Sequence, residues 1–104
     1  MVTSRLSPFL RGALFGALLA VAACQTTPPV QEMSDARQAI SAAEDAGAAD
    51  KAASDYEAAL GYLKKAETAL NLREYARARH EALLAKDKAL EALQRSEVEQ
   101  ESHP

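Results

Sequence analysis

Few residues in this chain are equipped for chemistry. There is one cysteine, Cys24, and there are two histidines, His80 and His103. A lone cysteine cannot close an intramolecular disulfide. Zinc asks for three or four convergent ligands, but His80 has only Arg79 and Glu81 beside it and His103 is the penultimate residue. Carboxylates are frequent, yet on amphipathic helices they form a solvated face. No glycine-rich phosphate loop and no GxSxG elbow occurs. The pattern argues against an enzyme and implies no cofactor, no metal and no small-molecule substrate. Cys24 is the one residue whose setting implies a covalent fate.

That setting is the run Gly12 to Ala23, twelve uncharged residues that follow Arg5 and Arg11 and end in Val21-Ala22-Ala23-Cys24. A basic start, a short apolar run and a small-residue boundary constitute an export signal. As a helix the run would cover about 18 Å, short of a hydrocarbon core of about 30 Å, so it does not suit a transmembrane span. Arg5 and Arg11 stand apart, which excludes a twin-arginine signal. Val21-Ala22-Ala23-Cys24 resembles the lipobox of bacterial lipoproteins. The resemblance implies that residues 1–23 are cleaved and that Cys24 becomes a lipidated N-terminus, with membrane lipid as its partner. It also implies, because Gln25 rather than aspartate follows the cysteine, the periplasmic face of the outer membrane. Two or more acyl chains hold far more firmly than one, at about 0.8 kcal/mol per buried methylene.

Removing 23 residues from 104 leaves 81, enough for one small domain. This remainder carries ten basic and fifteen acidic residues. A net charge of −5 disfavours nucleic acid, whose binding rests on neutralising phosphates. Abundant alanine and the absence of tryptophan indicate helix. The domains expected are the signal peptide (1–23), a lipidated tether containing Pro28-Pro29 (24–30), an alanine-rich bundle (31–98) and a disordered acidic tail (99–104).

Three helices are predicted. In the first, Gln31 to Ala46, residues Met33, Ala36, Ile40 and Ala43 share a stripe, and Gly47 ends it. Residues 48–53 form the turn. Ser54 and Glu57 read as a capping box that opens the second helix, whose inner face is Tyr56, Ala59, Leu60, Leu63, Ala66 and Leu70. Gly61 marks a close helix–helix contact, and the helix ends near Asn71 in left-handed geometry. The third, Glu74 to Val98, carries the stripe Tyr75, Ala78, Ala82, Ala85 and Ala89, with Leu83, Leu90 and Leu93 one step round. Short connections give an all-α, antiparallel up-down-up three-helix bundle. Tyr56 and Tyr75 fill its interface, while Tyr62 and Leu84 fall off the stripes as a candidate contact patch. Arg73, Arg77, His80, Lys64 and Lys65 form a basic group suited either to solvent or to an anionic surface.

Tyr56, Ala59, Leu60, Leu63 and Ala66, followed by Glu74-Tyr75, Ala78, Ala82, Ala85 and Ala89, resemble the pattern of small alanine-rich envelope lipoproteins of the domain-of-unknown-function 4398 family. That likeness implies a membrane-anchored module with a structural or protein-interaction role, its partner an envelope protein or a second copy. The passage Asn71 to Ala78 also resembles the inter-helix turn of a tetratricopeptide repeat, over one hairpin only. It implies the alternative role, an adaptor that grips a helix or tail from an envelope complex. Neither likeness carries a catalytic or ligand-binding residue.

Overall fold

The computed structural model describes residues 27–102. The segment 1–23 expected to be cleaved, Cys24, Gln25 and His103 therefore lie outside the described residues. The fold is all-α, and the described residues form four helices: α1 (Val30–Asp45), α2 (Ala48–Lys51), α3 (Ala53–Asn71) and α4 (Tyr75–Ser102). Among the described residues there is no strand.

Alanine sets the packing. Met33 of α1 meets Ala66 of α3 and Ala82 of α4 in one cluster. Ala39 and Ile40 meet Ala59 and Ala89 in a second, and Ala43 meets Ala48, Ala52 and Ala92 in a third. The pairings 33 with 82, 40 with 89 and 43 with 92 advance together, so α1 and α4 run parallel. The order 66, 59, 52 runs backwards against them, so α3 is antiparallel to both. Three long helices thus run up, down and up, as the short connections predict. Ala36, Ala43, Ala59, Ala66, Ala78, Ala82, Ala85, Ala89 and Ala92 have no exposed surface. Such small side chains let helix axes approach closely but withdraw little apolar area from water.

The connections follow backbone rules. Gly47 has φ 83°, the left-handed geometry that ends α1, and its N–H donates to the Glu44 carbonyl. The stretch 48–53, read as a turn, instead contains the single-turn helix α2, because alanine continues helical geometry wherever a carbonyl is within reach. At the far connection Arg73 takes the left-handed position with φ 60°. The Arg73 N–H donates to the Leu70 carbonyl and the Glu74 N–H to the Ala69 carbonyl, a Schellman pair. Asn71, expected to adopt that geometry, is the last residue of the helix.

Other expectations need correction. The capping box does not form: α3 begins at Ala53, its N-cap is Ala52, and no side chain caps it. Ser54 falls inside the first turn, so its hydroxyl is two residues too late to cap. Gly61 makes no close contact, since a Cβ built there meets no atom within 4 Å. Leu60, expected on the inner face of its helix, is 41% exposed, and Leu83 and Leu90, one step round from the alanine stripe of α4, are 45% and 44% exposed. Each follows or precedes a buried alanine by one residue, about 100° round the helix, and the alanines hold the centre of the contact. The tail does not begin at residue 99, because α4 continues to Ser102. The segment read as a free tether is partly docked: Pro29 is fully buried, and the Thr27 carbonyl accepts from Arg79 Nη2 at 3.0 Å.

Candidate functional site

The residues singled out for recognition lie along the α3–α4 hairpin. Lys88 and Arg95 are on the side of α4 that flanks α3, since Arg95 Nε lies 3.0 Å from Asp55 Oδ2 and Lys88 stands two helical turns before it on the same side. Arg77 and Leu84 are seven residues apart and share that side by helical register. Leu84, expected to be exposed, is half-buried for this reason. Tyr62 is also half-buried, with Lys65 Nζ 5.3 Å from its ring centroid, within cation–π range. Tyr62, Arg77 and Leu84 therefore share one flank. Arg73 stands apart from them at the tip of the hairpin, exposed in the turn.

An open groove of about 310 Å³ runs along this flank, lined by Gly61, Lys64, Lys65, Thr68, Ala69 and Arg77. The missing side chain at Gly61 and the short one at Ala69 leave the space, and three cations rim it. Arg77 Nη1 is 3.2 Å from Glu74 Oε2 within its own helix. Exposed pairs of this kind contribute little, about 0–1 kcal/mol. Among the described residues Lys64 and Arg73 make no ion pair. The arrangement offers charge and hydrogen-bond donors to an anion. It offers no nucleophile beside a base, and no group of three or more His, Cys, Asp or Glu among the described residues is placed to hold a metal.

Among the described residues Arg79 makes the most connected polar contact, and nothing in its local sequence setting singles it out. Its Nε donates to Glu32 Oε1 at 3.1 Å while Nη2 reaches the Thr27 carbonyl. Both Arg79 and Glu32 are 28% exposed, the least exposed of the ion pairs by their combined surface. The contacts span 47 and 52 residues of sequence, which local spacing does not reveal. Lys88 Nζ pairs with Glu91 Oε2 at 3.1 Å, and this hydrogen bond, then the Glu91 charge, raises the lysine above its ordinary pKa. His80 is exposed on the outer side of α4. Glu81 Oε2 is enclosed without a hydrogen-bond partner.

Among the described residues no helix is long and apolar enough to cross a membrane. No family model, no curated protein and no solved structure matches this chain.

Proposed function

We propose that this chain is an acylated bacterial envelope lipoprotein, anchored through Cys24, whose bundle plays a non-catalytic structural or protein-interaction role. The observation that carries the reading is Val21-Ala22-Ala23-Cys24 at the end of a twelve-residue apolar run, only five residues before the buried Pro29. The proposed location is the periplasmic face of the outer membrane, on the basis of Gln25. Support also comes from the likeness to the small alanine-rich envelope lipoproteins and from a core too rich in alanine to bury much surface alone. An envelope protein or a second copy would add to it.

The test is the Cys24→Ala precursor. It should remain uncut, take up no radiolabelled palmitate and leave the membrane fraction. Normal processing of that variant would end the proposal.

The alternative, a tetratricopeptide-like adaptor, is favoured by one feature: the antiparallel α3–α4 hairpin with an open groove on its flank. Crosslinking in intact membranes separates the roles. A structural oligomer gives self-crosslinks, whereas an adaptor gives one recurrent foreign partner on labels near Tyr62 or Leu84.

A further inference from the structure

The chain enters the bundle at its basic end. Thr27 is fastened to Arg79, and the start of α1, the end of α3 and the start of α4 all lie together there. Residues 27–37 and 64–80, which build this end, carry six basic and four acidic side chains, a net +2. Residues 44–57 and 91–101, which build the opposite end, carry two basic and nine acidic ones, a net −7. The bundle is therefore an electric dipole along its long axis, with the entry point at the positive pole. Two large apolar side chains are also bare at this pole, Val30 at 72% and Leu72 at 62% exposure. Neither packs into a core cluster, and Leu72 sits beside Arg73 in the turn.

We infer that this end is a docking face for a layer of anionic lipid headgroups, so that the bundle stands end-on to its membrane. The inference rests on acylation of Cys24. Three residues of chain, from Cys24 to Thr27, reach at most about 10 Å. That is about one Debye length at 0.1 M salt, so the cations of this pole lie within range of the surface charge. Arg73 and Leu72 are at the tip, and Lys64, Lys65 and Arg77 follow about one to two turns behind. Val30 and Leu72 suit the boundary between headgroup and acyl chain, where apolar side chains flanked by cations settle. The acidic pole faces away, as repulsion from an anionic leaflet requires.

The experiment uses the acylated full chain in vesicles of phosphatidylcholine alone or mixed with phosphatidylglycerol. A fluorophore is placed on Asn71→Cys, at the basic pole, or on Ala49→Cys, at the acidic pole. Both positions are exposed, and the acylated Cys24 does not react. A headgroup-attached quencher should quench position 71 about threefold or more over position 49 in the anionic vesicles, with the difference collapsing at about 1 M salt, where screening acts within about 3 Å. Lys64→Glu, Lys65→Glu and Arg73→Glu together should abolish it with the helical circular dichroism unchanged. Equal quenching at both positions, or a difference indifferent to lipid charge, overturns the end-on orientation and assigns the basic pole to a protein ligand. Palmitate incorporation is scored on the same material. Its absence removes anchor and orientation together, whereas its presence with equal quenching removes the orientation alone.

Discussion

Arg73 shows how a single residue can serve a turn at the expense of stability. A side chain with a Cβ in left-handed geometry costs roughly 1–2 kcal/mol, which glycine avoids. Arg73→Gly should therefore raise stability by about 0.5–1 kcal/mol after glycine's greater loss of chain entropy is deducted. Thermal unfolding followed by circular dichroism measures this, and a fall in midpoint would contradict the assigned geometry. Arg79 presents the opposite case. Arg79→Ala removes the pair with Glu32 and the bond to the Thr27 carbonyl, and should cost about 1–2 kcal/mol. Amide exchange should quicken at Met33, whose N–H donates to the Pro29 carbonyl at the start of α1. Lys88 adds a small pH effect at the alkaline edge. Its folded pKa is raised, so the pairing with Glu91 is fully present at neutral pH and is lost as pH climbs through that raised value.

At the scale of the helix, the centre of each buried face belongs to alanine. Ala89 has no exposed surface and touches the cluster of Ala39, Ile40 and Ala59. Ala89→Leu would insert three carbons where three helices converge, and should cost about 1–3 kcal/mol through overpacking. Denaturant unfolding checks it, and a neutral result would mean the helices are farther apart than described. Gly61 tests the reverse condition. Nothing lies within 4 Å of the Cβ that it lacks, so Gly61→Ala should stabilise by about 0.8–1 kcal/mol through helix propensity alone. Ser96 follows the same logic as the alanines. Fully buried, it continues their stripe on α4 and donates to the Ala92 carbonyl at 2.8 Å, so its hydroxyl needs no partner from another helix.

These faces also mark how far the sequence could be read. The stripe Ala78, Ala82, Ala85 and Ala89 was legible because its period is helical and its members are uniformly small. Leu60 was misplaced because hydrophobicity alone ranks leucine as more interior than alanine. Close approach of helix axes reverses that order and moves the larger side chain to the flank. Ser54 misled because the capping pattern is local, whereas the start of α3 is fixed by Ala52 packing on Ala43 and Ala92. For the candidate surface, residue types grouped Tyr62, Leu84, Arg73 and Arg77, whereas helical register sets Tyr62, Leu84 and Arg77 on one flank and leaves Arg73 apart in the turn. The Arg79 contacts were not legible, since they depend on which helix end returns to the start of the chain.

The described bundle is a slender rod rather than a ball. The last helix alone, 28 residues, is about 42 Å long. Acid and base are segregated along that length, and among the described residues three of the five ion pairs cross between helices: Arg37 with Glu67, Arg79 with Glu32, and Arg95 with Asp55. Arg79 with Glu32 is the least exposed of the three, and exposed pairs such as Arg37 with Glu67 add little, so register rests mainly on Met33, Ile40, Tyr56 and Leu63 packing among the alanines.

The parallel course of α1 and α4 has a mechanical consequence. The chain enters at one end of the rod and its last described residues emerge at the other. A pull between those two points loads α1 and α4 in shear, so their contacts at the levels of Met33, Ile40 and Ala43 resist together instead of peeling one after another. Arg79, clasping both Glu32 and Thr27, fastens the upstream end of that seam and transmits tension straight into the longest helix.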